Sequence, residues 1–200
     1  MRLGSVRPLQ RLAYVRRIEA LELALEQAQH LLYQDELTPL LNRRGFRRTC
    51  DQWPASRPME THMCCVMVDL DDFKSINDQY GHPVGDAAAL LHFSRTLLQH
   101  LRQADVLARL GGDEFALVLV NTLSTDALGV LEHLQTVLAA SPLSANGASV
   151  RLRFSAGIAD RQVYESLPEA LARADAALLD AKRSGKALVR LHGAPEKPGG

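Results

Sequence analysis

Apolar residues recur along the chain in two rhythms, one helical and one strand-like. From Pro8 to about Gln34 they fall at Tyr14, Ile18, Leu21, Leu25, Ala28 and Leu32, in alternating steps of four and three. That rhythm predicts a helix with a coiled-coil seam. The seam covers only about three heptads, so a helix lying along its own domain is the alternative. Pro39 breaks helical continuity, and the stretch Asp35 to Phe46 reads as a wedge or hinge. A short helix over Asn42 to Trp53 and a Pro- and Ser-rich loop follow. His62 to Asp69 is an unbroken apolar run suited to a central strand, and it ends on Asp69-Leu70-Asp71-Asp72.

Phe73 to Tyr80 predicts a short helix stopped by Gly81-His82-Pro83. Val84 to Gln103 predicts a longer one, with apolar positions spaced to pack on a sheet. Val106–Leu110 and Phe115–Val120 flank Gly111-Gly112, the pattern of a hairpin whose turn needs positive φ. Ser124 is placed to cap a helix running to about Ala140. Ser149 to Ala159 alternates like a half-buried strand, and Ser166-Leu167-Pro168-Glu169 forms a capping box opening a helix that ends near Gly185. Ala187 to Leu191 is a last short strand. Strands in this order, with a hairpin between helices, predict an α+β, ferredoxin-like plan: a mostly antiparallel sheet surrounded by helices. Residues 1–34 form the N-terminal coiled-coil helix, 35–192 the globular domain and 193–200 a disordered tail.

Charge refines this picture. The 200 residues carry 23 basic and 23 acidic side chains, and aromatic residues make up only 5%. A nucleic-acid groove with stacking platforms is therefore not expected. The N-terminus has no apolar signal core and no run long enough to span a bilayer, so the chain reads as cytoplasmic, with no membrane insertion. Cys50, Cys64 and Cys65 are read as small buried hydrophobes, with a metal cluster around His62 as the alternative.

The candidate chemistry sits where strands end. The plan brings the ends of the first strand and of the hairpin side by side, gathering Asp69, Asp113 and Glu114. Alternation along the strand predicts that Asp113 and Glu114 point to opposite sides. Converging carboxylates stay ionised at neutral pH when a hard divalent cation holds them, and Mg²⁺ suits an all-oxygen set. Mg²⁺ fills its remaining positions with water and phosphate oxygens, so a nucleoside triphosphate is the implied substrate. Lys74, Lys182 and Lys186 are the cations placed to meet phosphates; the last two equally suit a helix C-terminus.

Asp69-x-Asp71-x-Phe73-Lys74-x-Ile76-Asn77-Asp78-x-x-Gly81-His82-x-x-Gly85-Asp86, followed by Arg109-x-Gly111-Gly112-Asp113-Glu114-Phe115, resembles the GGDEF family of diguanylate cyclases. Asp35-x-Leu37-Thr38-x-Leu40-x-Asn42-Arg43-Arg44 and Ser155-x-Gly157-Ile158-Ala159 extend the match. The resemblance implies a cyclase-palm-like domain that condenses two GTP into cyclic di-GMP as a homodimer, with Mg²⁺, or Mn²⁺ in its place, as cofactor. It implies Asp69, the Leu70 carbonyl and Asp113 as metal ligands, and Glu114 as a further ligand or as the group assisting deprotonation of the ribose 3′-hydroxyl. Lys74, the backbone near Asp72 and Phe73, Lys182 and Lys186 would take the phosphates, with Gly111 and Gly112 leaving room for them. Asn77 and Asp86 would read guanine. Arg102 and Asp105 match the family's product-inhibition site, so inhibition by cyclic di-GMP is expected.

The chain departs from the family pattern at Leu179, where relatives often have Tyr, and at Gly185-Lys186-Ala187, where they commonly have Gly-Arg-Asn. A lysine keeps the charge and loses the planar fork. Two other readings stand beside the cyclase: a catalytically silent cyclic di-GMP receptor acting through Arg102 and Asp105, and a related cyclase making a linear or mixed product.

Overall fold

The computed structural model describes residues 8–53, 62–80, 87–145 and 148–193. Helix α1 (Pro8–Tyr33) leads into α2 (Arg43–Cys50), β1 (Met63–Leu70), α3 (Phe73–Tyr80), α4 (Leu90–His100), β2 (Val106–Gly111), β3 (Glu114–Val120) and α5 (Ser124–Ala140). A small hairpin, β4 (Leu143–Ala145) and β5 (Ala148–Val150), precedes β6 (Phe154–Asp160), α6 (Leu167–Arg183) and β7 (Val189–Leu191).

The main sheet has the order β2-β3-β1-β6-β7, antiparallel throughout except for the parallel β6–β7 pair. The chain is thus α+β with a mostly antiparallel sheet, as the pattern predicts. Strand parity divides its core. Cys64, Val66, Val68 and Leu70 of β1 join Phe93 and Leu97 of α4 and Leu131 and Leu134 of α5. Met63 and Cys65 belong to the opposite face, with Phe46 of α2 and Leu167 and Ala170 of α6. All three cysteines are buried and unpaired, and burial pushes Cys50 up to about 11 and Cys65 to about 12, so they pack as hydrophobes.

Helix α6 lies directly on β6 at Gly157, where a Cβ would collide with the Ala174 carbonyl and the Leu178 amide. Its N-terminus carries the full capping box, with Ser166 and Glu169 bonded to each other's backbone. At α1 the predicted seam faces outward: Ile18 is 54% and Leu25 59% exposed, and among the described residues the helix meets the domain at its end, where Gly45 of α2 packs against the Tyr33 carbonyl. The alternative of a helix lying along its own domain is not what the structure has. Leu12, Leu23 and Leu31, off the seam, are exposed too.

Several elements differ from the sequence reading. Helix α2 stops at Cys50, and α4 is regular only from Leu90, after a π-helical turn over 87–89; residues 84–86 lie outside the described residues, as does the tail over 194–200. The cap of α5 is Leu123, and Ser124 instead donates from its amide (2.8 Å) and hydroxyl (2.6 Å) to Asp160. The single strand expected over Ser149–Ala159 is two, because residues 151–153 belong to no strand and the chain passes there from the β4–β5 pair to the main sheet. Phe154 to Ala159 are all buried, since β6 lies inside the sheet with helices over both faces. The β4–β5 hairpin was not predicted; three-residue strands are too short to show a period.

Candidate active site

Strand parity also decides what the acidic residues face. Asp69 has the parity of Met63, Cys65 and Met67, which places it on the face covered by α2 and α6. Glu114 shares parity with Ala116 and Val118 of the same face. In the β1–β3 register Asp69 and Glu114 are direct partners, and on its other side Asp69 is paired with Ser155. Asp113 lies in the turn before β3, so strand alternation, the ground for expecting it opposite Glu114, does not govern it; its carbonyl accepts the Leu70 amide at 3.2 Å. The hairpin turn is thereby stitched to the end of β1.

Close packing at Gly157 sets Lys182, one turn past Leu178, over this strand end, where its Nζ is hydrogen-bonded to Asp69 Oδ1. Burial is the largest influence on the Asp69 carboxyl and raises its pKa; the bond from Lys182 opposes the rise, and the charges of Asp113 and Asp71 add to it. A buried carboxylate with negative neighbours is a poised ligand, because a further positive charge placed there relieves both penalties.

The loop after β1 extends the site. Asp72, at φ 57°, pairs with Lys186 Nζ at 2.6 Å and with Arg153 at 3.3 Å, and the Lys186 ammonium is the main cause holding its carboxyl below the usual range. Phe73 is buried at the start of α3, Lys74 is exposed beside it, and Asn77 is half-buried further along. Asp86 lies outside the described residues. Gly111 (φ 147°) and Gly112 (φ 54°) hold the turn in conformations that side chains disfavour, with a register shift between Arg109 and Gly111.

The sequence reading missed the groups that brace this turn. Arg109 donates from Nε to the Gly112 carbonyl at 2.8 Å and from its guanidinium to both Asp35 oxygens at 3.1 and 3.2 Å. Burial tends to raise the Asp35 carboxyl, but hydrogen bonds from Thr38 and Arg109 outweigh it and hold its pKa low. Arg43 Nε reaches the Leu110 carbonyl at 3.1 Å, and its guanidinium stands 3.8 Å from Glu114. Arg, Asp and Thr at these positions were visible, but the pairing spans 74 residues of chain and has no local signature.

Arg102 and Asp105 stand apart. They precede β2, whereas the glycine turn begins at its last residue, Gly111, so the strand, roughly 17 Å long, separates them. Asp105 accepts the Arg102 amide at 2.9 Å and the Val120 amide at 3.1 Å, leaving the Arg102 side chain exposed beside a cleft lined by His100, Asn121 and Asp126.

Among the described residues no three acidic, histidine or cysteine side chains form a closed metal cage. Two or three carboxylates at one strand end, with backbone carbonyls nearby, suit a hard cation that keeps water and phosphate in most of its positions. The domain is thus an α+β sheet with an acidic strand end, a glycine turn and lysines converging from α6 and the loop after it. The family model "Diguanylate cyclase, GGDEF domain" matches residues 32–187, and the chain belongs to that family. It is 35% identical over 163 residues to diguanylate cyclase DgcP of Pseudomonas aeruginosa, covering 81% of this chain and 24% of that protein. It is 35% identical over 165 residues to diguanylate cyclase DgcM of Escherichia coli, covering 82% and 39%. The chain therefore spans about a quarter to two fifths of these relatives. The crystal structure of the coiled coil and GGDEF domain of DgcB from Caulobacter crescentus, in complex with c-di-GMP, superposes with a TM-score of 0.80 at 28% identity, covering 91% of this chain and 97% of that one.

Proposed function

We propose that this chain is a diguanylate cyclase that condenses two GTP molecules into cyclic di-GMP and releases two pyrophosphates. The observation that carries the reading is the direct pairing of Asp69 with Glu114 across β1 and β3, with Asp113 beside them and Lys182 opposite. Asp69, the Leu70 carbonyl and Asp113 would hold Mg²⁺, with Mn²⁺ able to replace it, and Glu114 would complete the acidic set. The ion, when bound, supplies charge neutralisation at the α-phosphate and lowers the pKa of the attacking hydroxyl.

The chain's own residues do the remaining work. Glu114 accepts or relays the proton of the ribose 3′-hydroxyl as that oxygen attacks the α-phosphate. Lys182, Lys186 and Lys74, with the amides around Asp72 and Phe73, bind the β- and γ-phosphates and stabilise the leaving pyrophosphate. Gly111 and Gly112 let the triphosphate lie close to the turn. Asn77 and Asp86 read guanine.

Each domain binds one GTP, so two must face each other. The outward apolar seam of α1 supports a homodimer in which the paired helices set that geometry. Arg102, exposed on the loop that Asp105 orders, would hold cyclic di-GMP as an inhibitor. Its need for GTP supports placing the enzyme in the cytoplasm. Incubating the chain with GTP and Mg²⁺ at several protein concentrations, with products identified by mass, tests the reading. Cyclic di-GMP formed at a rate per chain that climbs with concentration supports it; absence of product at every concentration overturns it.

A further inference from the structure

Asp71 is the acidic residue of the β1 end that faces neither the cation site nor solvent. It is 3% exposed, and its bonds tie three distant segments together. Its amide donates to the Arg153 carbonyl at 2.8 Å, ahead of β6. One carboxylate oxygen accepts the Ser155 hydroxyl at 2.8 Å, and the other accepts the Ala187 amide at 2.8 Å, in the turn between α6 and β7.

That turn is strained. Gly185, Lys186 and Ala187 have φ of 118°, 65° and 49°, so two consecutive residues with side chains occupy the left-handed region. Neither lysine nor alanine favours it, unlike glycine or asparagine, and such a conformation persists only where its surroundings over-determine it. Besides the Lys186 amide's bond to the Ala181 carbonyl at 3.2 Å, the bond from Asp71 anchors the second strained residue. The turn presents Lys186 to Asp72 and directly follows the last turn of α6, which presents Lys182 to Asp69.

We propose that Asp71 is a positioning residue for phosphate binding: its buried carboxylate holds the Lys186–Ala187 turn in its left-handed form and so aims the lysine cations at one side of the site. This rests on the reading of Lys182 and Lys186 as phosphate ligands. It explains why a chain with Lys-Ala at this turn keeps a fixed phosphate side: the restraint that asparagine would supply through its own preference comes here from a hydrogen bond contributed by β1.

The test compares the wild type with Asp71→Leu, Asp71→Asn and Ser155→Ala. Displacement of a fluorescent GTP analogue by unlabelled GTP, supplied as its non-reacting α,β-methylene form, or by GMP, with Mg²⁺ present, reads the grip on the β- and γ-phosphates, and amide hydrogen exchange at Ala187 reads the turn. Asp71→Leu is expected to weaken GTP about tenfold while leaving GMP unchanged, and to expose the Ala187 amide while the β1–β3 ladder stays protected. Asp71→Asn, whose side-chain oxygen still accepts from Ala187 while its NH₂ donates to Ser155, is expected to stay within about twofold of wild type. Ser155→Ala, which removes one anchor of the Asp71 carboxylate and leaves its bond to Ala187 without that support, is expected to weaken GTP two- to threefold, and decides the matter if the leucine variant does not fold. Equal losses for GTP and GMP, or unchanged GTP affinity with an unprotected Ala187 amide, overturn the proposal. A wild type that itself binds GTP no more tightly than GMP instead overturns the phosphate reading of the lysines.

Discussion

Lys182 on α6 and Asp69 at the end of β1 are bonded through Nζ and Oδ1, with side chains only 29% and 17% exposed. On the proposed reading of Asp69 as a metal ligand, the ammonium and the divalent cation compete for this carboxylate. Lys182→Ala is expected to strengthen Mn²⁺ binding measured calorimetrically without nucleotide, by about severalfold, because a like-charged competitor is gone. In the presence of GTP the same variant is expected to lose turnover about tenfold or more, since a phosphate partner is gone as well. Unchanged Mn²⁺ affinity would show that the ion does not use Asp69.

Arg102 and Asp105 are expected to separate in their effects. Asp105 accepts two backbone amides, those of Arg102 and Val120, so Asp105→Ala leaves the part-buried Val120 amide without its acceptor and the exposed Arg102 amide to water, and is expected to cost about 1 kcal/mol of stability in chemical denaturation. Arg102→Ala trims an exposed side chain, and its stability is expected to stay within about 0.5 kcal/mol of wild type while inhibition by added cyclic di-GMP is lost. Persistent inhibition in Arg102→Ala would remove the assignment of this loop as the product site.

The Asp35–Arg109 pair joins the end of α1 to the glycine turn. Asp35→Ala and Arg109→Ala are each expected to destabilise the domain by about 1–3 kcal/mol, because each leaves a part-buried charge without its partner. The double variant is expected to cost clearly less than the sum. Activity should fall with the Arg109 change in particular, as Arg109 also holds the Gly112 carbonyl. Additive losses in the double-mutant cycle would mean that the two residues act separately.

The pH dependence of stability is set partly by Glu165. Burial tends to raise its carboxyl, but the Arg173 guanidinium and the Gln162 amide outweigh burial and hold it below the ordinary 4.5. A carboxyl depressed in the folded state contributes stability that is complete above the unfolded value and lost as pH falls through the folded one. The wild type is therefore expected to lose melting temperature faster than Glu165→Gln as pH drops from about 5 to about 3, while Glu165→Gln melts lower at neutral pH. Parallel curves for the two proteins would refute a role for this carboxylate.

How much was readable in advance follows from the range of each signal. Helix α3 over Phe73–Tyr80, the capping box of α6 and the glycine turn were legible because caps, periods and turn chemistry act over a few residues. So were Asp69 and Glu114 as neighbours, since a hairpin beside a central strand leaves few pairings. The split of Ser149–Ala159 into two strands was not legible: burial of β6 on both faces depends on where β1, β7 and the helices lie, and local alternation carries no record of that.

The sequence by itself determined the α+β order of elements, the apolar strand ending in acids, the apolar seam of α1 and the motif residues, since each depends on side-chain type and near spacing. Tertiary structure alone decided that Asp69 and Glu114 share the α6 face, that Gly157 lets α6 close far enough for Lys182 to reach Asp69, and that Asp71 turns away to hold Ala187. The physical reason is parity and contact. A side chain's face follows from strand register, and register, helix approach and the bonds that follow from them are fixed by packing between segments distant in the chain, 113 residues for Lys182 and Asp69 and 116 for Ala187 and Asp71.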